Sequence, residues 1–405
     1  MSAWRSAAFA ALAFGALAGC KEQISSPGKC PALCPSGHVQ LADTLLTTAD
    51  VSDTSVRGFV LVREASYLLA SNLDSLQSLV LVRFSRIDTT WFVTLSSGLV
   101  DTAYVGNPDS VVLDLHLVQR DTAVKGLKLL VYRLPALFDT GASYASILPY
   151  FADSTLVDTV PISDTLQTGD LPVRIADSLV IAPADTGVVS LGIAVVAAGK
   201  TALALGSGNL GTTAPILSTY IHAKAPLDTL SHVTSVEPSV SLFVMNPPPG
   251  QPPSGVLALG GIPTARATLR LSLPTVVVDS NAVVRATLLL NTTGPAGGFA
   301  RDSFFVFAQP VVRDFGAKSI LWPDSTVSGS VLIHEGQTGP VALDLAPILR
   351  FWGTTQGDST PRLIVLRAYP EGSILGSVTF AGRVAGALGP QLRVTYVKPY
   401  TFGLP

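Results

Sequence analysis

The chain is short of charge. Only 13% of its 405 residues are Asp, Glu, Lys or Arg, and 26 basic residues stand against 28 acidic ones. No basic field exists to attract nucleic acid, and no acidic block exists to hold a basic partner. The side chains that most often carry chemistry are scarce too: 3 cysteines and 5 histidines. His38, His116, His222, His232 and His334 are scattered, with no H-x-x-x-H pair for a metal and no G-x-S-x-G elbow for a serine hydrolase. We therefore expect no catalysis, no metal and no cofactor. Beyond the first twenty residues no apolar run is long enough for a spanning helix, which excludes a polytopic helical membrane protein. Sustained helical periodicity is nearly missing as well.

What is present is apolar bulk in small pieces. The chain is 48% hydrophobic, far too apolar for a disordered polymer, and 35 glycines and 29 prolines break it into short elements. The length predicts two or three domains.

The N-terminus has the layout of an address. Arg5 precedes an apolar stretch from Ala7 to Ala16, and small residues follow. The ending Leu17-Ala18-Gly19-Cys20 resembles the bacterial lipobox. That resemblance implies a signal peptide over residues 1–19 and diacylglycerol on the thiol of Cys20, which becomes the first residue after cleavage. Two or three acyl chains anchor durably where one does not. Lys21 follows in place of the Asp that retains enterobacterial lipoproteins in the inner membrane, so the expected address is the outer membrane. Residues 20–42 read as a lipidated, Pro/Gly-rich tether. Cys30 and Cys34 lie in it at C-x3-C spacing. In an oxidising compartment a disulfide between them is the leading expectation, with free thiols or a metal site using His38 as alternatives.

From Asp43 onward short runs alternate or are continuously apolar, as at Leu79–Phe84, Val111–Leu117, Leu127–Arg133 and Phe304–Phe307. Bounded by Gly, Pro, Asp and Ser, these read as strands of a sandwich. One exception is Asp344 to Trp352, where Asp344 is placed to cap a turn or two of helix with Pro347 near its start.

The chain also repeats itself. Residues 79–84 match 267–271, the strand ending at 117–118 matches 286–290, and 129–135 match 304–310. Residues 187–191 match 339–343, 201–205 match 362–366, and 214–220 match 389–396. The expectation is an all-β chain of two tandem jelly-roll-like antiparallel β-sandwiches. They cover 43–223 and 236–398, with a linker at 224–235 and a tail at 399–405. The first copy carries an extra hairpin between Ile87 and Asp109. The Pro-rich tract from Asn246 to Pro253 forms a stiff exposed loop inside the second copy.

The second copy resembles the DNRLRE domain, a family of secreted bacterial β-sandwiches that includes family 96 carbohydrate-binding modules. Arg266–Pro274, Val341–Trp352 and Gly389–Tyr396 carry the likeness; the name-giving string itself is absent. The resemblance implies the sandwich fold and, as one option, binding of polysaccharide. Trp322, in Leu-Trp-Pro-Asp, is the candidate platform for a sugar ring, whereas Trp352 is expected in the core.

Three further patterns have structural readings. Gly206-Ser-Gly208-Asn-Leu-Gly211 matches G-x-G-x-x-G, but no helix signal follows, so it reads as a glycine turn. Gly199-Lys200-Thr201 lacks the first glycine of a P-loop. Asp-Thr pairs recur at Asp43, Asp53, Asp121, Asp139, Asp158 and Asp164 among others, as turn punctuation more than calcium ligands. The expected function is therefore a lipid-anchored, non-catalytic envelope protein for display, adhesion or scaffolding. Its partners are the membrane and an envelope protein or surface polysaccharide. A carbohydrate-binding lipoprotein is the first alternative, and a hydrolase on a sandwich scaffold the second.

Overall fold

Val, Leu, Ile and Phe at every second position produce strands because their branched or flat side chains fit a pleated, half-buried surface. In the computed structural model 53% of the chain is strand and 11% helix, so the protein is all-β. The structure describes residues 41–58, 60–86, 90–94, 97–98, 100–104, 109–176, 188–209, 211–222, 231–247, 250–278, 283–314 and 322–397. Side chains of 49, 90–94, 101–104, 322, 355 and 356 fall outside that description. Residues 1–40, which include Cys20, Cys30 and Cys34, and residues 398–405 fall outside it as well.

The first two strands are β1 (Leu41–Leu46) and β2 (Val51–Arg57). A first body follows: β3 (Tyr67–Asn72), β4 (Gln77–Phe84), β5 (Thr90–Thr94), β6 (Val100–Tyr104), β7 (Ser110–Arg120), β8 (Lys128–Arg133), β9 (Leu156–Pro161), β10 (Gly169–Ile175), β11 (Val189–Val196), β12 (Ala202–Gly206) and β13 (Ile216–His222). Next come β14 (Ser231–Val236) and β15 (Pro238–Asn246). The second body is β16 (Val256–Gly260), β17 (Ala265–Leu271), β18 (Val283–Asn291), β19 (Ser303–Arg313), β20 (Trp322–Pro323), β21 (Gly329–His334), β22 (Pro340–Asp344), β23 (Leu363–Tyr369), β24 (Ser377–Ala381) and β25 (Gln391–Val397). Among the described residues four short α-helices interrupt them: α1 (Tyr144–Ile147), α2 (Thr275–Val278), α3 (Ala346–Trp352) and α4 (Thr355–Asp358).

In the second body two antiparallel sheets face each other. One runs β1-β25-β18-β22; the other runs β20-β19-β23-β17-β16-β24, with β21 also on β19 and β2 also on β17. Alternate residues of both sheets, among them Leu269, Leu288, Val306, Leu366 and Val394, form one buried cluster that also takes in Trp352. In the first body the sheet runs β14-β13-β7-β12-β3-β4-β11-β8-β9, with β10 on β7 and β15 on β4. It curls around a core containing Leu113, Leu117, Val131, Leu205 and Phe243.

The two bodies share one plan. The row β14-β13-β7-β10 corresponds to β1-β25-β18-β22, and β9-β8-β11-β4-β15 corresponds to β21-β19-β23-β17-β2. The correspondence exposes an exchange. β1 and β2 stand first in the chain, yet β1 pairs with β25 and β2 with β17 of the second body. β14 and β15 head the second repeat, yet β14 pairs with β13 and β15 with β4 of the first body. Each repeat thus lends its opening two-strand arm to the other.

This pairing redraws the expected boundaries of 43–223 and 236–398. Residues 41–57 complete the second body and 231–246 the first. The expected linker at 224–235 runs into strand β14. Its Ser231, His232, Val233 and Ser235 are exposed, so an edge strand with both faces wet reads as polar linker. Two of the six matched pairs are displaced by a strand. By position in the sheets β22 corresponds to β10, not to 187–191, and β11 corresponds to β23. The extra segment of the first copy is a hairpin, β5 against β6. Where it stands, the second body has α2 instead. The Pro-rich tract lies between β15 and β16, so it belongs to the crossing from one body to the other.

Helix α3 forms at the expected place. Pro347 sits in its first turn, and the Asp344 carboxylate accepts from Ala346 N at 2.9 Å, although the cap position itself is Leu345.

Candidate functional site

Two crossings join the bodies, 58–66 from β2 to β3 and 247–255 from β15 to β16, and the first of them borders a concave feature among the described residues. Val60, Leu61 and Val62 of the first crossing face the end of β15, where Phe243 and Met245 emerge, and the turn Gly261–Thr264 between β16 and β17. Segment 142–145, running into α1, forms the remaining wall, and Gly372 reaches in from the β23–β24 loop. Together they enclose a cleft of ≈ 480 Å³.

Local sequence explains each wall. Ser143 caps α1: its hydroxyl accepts from Ser146 N at 3.3 Å, and the Ser146 hydroxyl accepts from Ser143 N at 3.0 Å. The turn at Gly261 needs glycine because a Cβ there would lie 2.4 Å from the Ile374 carbonyl oxygen. The next residue, Ile262, is 3% exposed and packs into the first body's core together with Phe299, so the two bodies share apolar contact.

Among the described residues no Asp, Glu, Lys, Arg or His lines the cleft. Three of its four polar side chains, Ser143, Asn246 and Thr264, bond within the protein. The Thr264 hydroxyl accepts from Val60 N at 3.3 Å and donates to Val60 O at 3.2 Å. Asn246 donates to Gln77 Oε1 at 3.3 Å. Tyr144 is half-buried, and burial raises its phenol above the ordinary value, so it stays neutral. Next to Gly372, the Glu371 carboxylate is gripped by Arg266 through Nε at 2.8 Å and through a terminal nitrogen at 2.6 Å, with Arg367 at 3.8 Å.

No protein-family model, curated protein or solved structure matches the chain. The geometry therefore has to speak through its own residues.

A second feature is an open aromatic row on the second body. Leu332 of β21, Phe305 of β19 and Tyr369 of β23 stand opposite one another in register. They are 38%, 44% and 46% exposed. Phe307 lies 6.1 Å from Phe305 and 5.0 Å from Tyr369 between ring centroids. Farther along the same face Val311, Leu363 and Val365 are buried, so the open part is local.

The structure scatters the other sequence candidates. Cys20, Cys30 and Cys34 lie outside the described residues. The backbone of Trp322 pairs with Arg313 in β20, but its side chain is not described. Trp352 is fully buried in the core, with the Arg362 guanidinium 5.7 Å from its ring centroid. Gly206 ends strand β12, Gly208 and Asn209 form a turn, strand β13 follows from Ile216, and the Lys200 ammonium meets Asp74 at 2.8 Å. Asp residues of the Asp-Thr pairs bond nearby groups. Asp121 Oδ1 accepts from Ala123 N at 2.9 Å, and Asp139 Oδ1 from Gly141 N at 2.8 Å. Among the described residues no three metal-ligating groups converge.

One polar cluster sits on the outer face of the first body. The Ser218 hydroxyl donates to Asp114 at 3.4 Å and lies 3.2 Å from the Ser235 hydroxyl. His116 is 2.7 Å from Asp170, and His222 meets Asp109. Burial raises the Asp114 carboxyl above its ordinary value; the Ser218 bond partly offsets this and the charge of Asp170 adds to it. His116 is turned to Asp170, so serine, aspartate and histidine are paired off separately.

Neither the cleft nor the aromatic row was foreseen. The cleft is made of connectors, which carry no periodic signal. Phe305 and Phe307 belong to a run, Phe304–Phe307, that reads as continuous core; only the exposure of alternate members separates them.

Proposed function

We propose that the chain is a lipid-anchored cell-envelope protein, held in the outer membrane through Cys20, whose two β-sandwich modules display a surface for adhesion or scaffolding without catalysis. The observation that carries the reading is Leu17-Ala18-Gly19-Cys20 at the end of a short apolar segment, with a strand-built body downstream. The body supports it mechanically. β1 begins at Leu41, within the last two residues expected for the tether, and is bound along its length to β25, so a pull on the lipid is taken up by a sheet. The DNRLRE-like stretches at 266–274, 341–352 and 389–396 fit the same role. Labelling cells with radioactive palmitate tests it. Label in the membrane fraction, and its loss with release of the chain in Cys20→Ser, are expected; an unlabelled membrane-bound Cys20→Ser chain would overturn the reading.

The aromatic row favours a second reading, a carbohydrate-binding lipoprotein. Flat rings present electron-rich faces to the C–H groups of a sugar. Affinity gels cast with polysaccharides separate the two readings. Retardation that is lost in Tyr369→Ala or Trp322→Ala supports the second, and unretarded migration in every gel removes it.

A further inference from the structure

We propose that the cleft at the crossing of the two bodies is a binding site for a small, neutral, elongated hydrocarbon-like molecule, such as a long-chain alcohol. The inference stands independently of how the protein is anchored.

Three observations carry it. The first is size: ≈ 480 Å³ is far larger than the voids of ordinary packing and lies within the range of small-molecule pockets. The second is chemistry. The walls are Val60, Leu61, Val62, Ala145, Phe243 and Met245 with their neighbours, and among the described residues no charged side chain joins them. A carboxylate or ammonium ligand would lose its hydration without gaining a counter-charge. The Thr264 hydroxyl and the Asn246 Nδ2 bond within the protein, which leaves the Tyr144 phenol and the Asn246 Oδ1 as the polar atoms of the lining: enough for one hydroxyl, too few for the many polar groups of a sugar or a nucleotide. The third is shape. A concavity of this volume cannot offer the ~800 Å² per partner that a stable protein interface uses, which argues against a second copy or a partner protein. Met245 adds an adaptable wall able to follow a flexible chain.

The walls also belong to both bodies. Leu61 lies in the crossing that leaves the second body, and Ala145 lies in the first. A ligand would therefore touch both halves at the place where they exchange arms.

The test uses the full chain carrying Cys20→Ser, which cannot be acylated, titrated with the neutral dye Nile red. Expected are saturable one-to-one binding with a blue-shifted emission and displacement by 1-dodecanol. Ala145→Trp and Leu61→Trp each fill the cleft from a partly exposed wall, one from each side. Each should weaken Nile red binding at least tenfold while the thermal transition stays cooperative. If one variant fails to melt cooperatively, the other decides. Absence of saturable binding, or unchanged affinity in a folded variant, overturns the proposal.

Discussion

Leu41, the first described residue, lies directly opposite Val397, the last, in the antiparallel pair of β1 and β25. The two ends of the fold are thus neighbours, and the sequence halves are bound by exchanged arms. A specific protease site inserted between His222 and Ser231 should cut the chain into its two repeats. We expect both fragments to co-elute in native size-exclusion chromatography and to part only in denaturant. Separation under native conditions would refute the exchange.

Arg266 and Arg367 are register partners on β17 and β23, and Glu371 is the carboxylate between them. Its side chain is 5% exposed. Glu371→Ala leaves two guanidinium groups facing each other in a dry place. A loss of about 3–5 kcal/mol in urea unfolding is expected. A loss below about 1 kcal/mol would show that the Arg266 clamp is energetically idle.

Gly206 and Gly211 frame the G-x-G-x-x-G string but differ in surroundings. A Cβ at Gly206 would fall 1.7 Å from the Thr213 carbonyl oxygen, whereas nothing lies within 4 Å of one at Gly211. Gly206→Ala should cost about 3 kcal/mol or more, and Gly211→Ala should stay within about 0.5 kcal/mol of the parent. Chemical denaturation of both variants checks this, and equal effects would contradict the turn geometry.

Asp114 carries a raised carboxyl value, caused first by burial, so its ionised form is less favourable in the folded chain than in the unfolded one. The fold therefore bears a penalty at neutral pH. That penalty shrinks as pH falls through the raised folded value and is gone below the ordinary 3.8. Asp114→Asn keeps an acceptor for Ser218 and removes the charge. Its melting temperature should rise by about 1–3 °C at pH 7 and match the parent below that ordinary value. A gain of the same size at both pH values would assign the effect to something other than ionisation.

The strands were legible because Val, Leu and Phe at alternate positions announce a half-buried surface, and the repeat was legible because those runs recur in order. The partner of each arm was not. β2 turns Asp53, Ser55 and Arg57 one way and Thr54 and Val56 the other, a pattern that suits either body equally. Strand identity follows hydrophobic alternation, whereas pairing between equivalent sheets follows the reach of connectors such as 58–66. The same ambiguity displaced 187–191 and 201–205 by one strand, since every short apolar run resembles its neighbours. Trp352 was expected in the core from its match to the turn Trp of the resembled family, and the start of its helix was legible from Asp344 and Pro347. The cleft depended on connectors, and so had no signature.

A ribosome or a translocon delivers a chain from its N-terminus. The Ser55 hydroxyl bonds the carbonyl of Val256, 201 positions away, and the Thr395 hydroxyl bonds Asp43 across 352. The opening arm therefore emerges long before anything exists to receive it. Until the closing segment arrives, β1 and β2 are unclaimed edges at the mercy of any other nascent chain. Quality control during biogenesis, more than the finished shape, is where this architecture makes its heaviest demand.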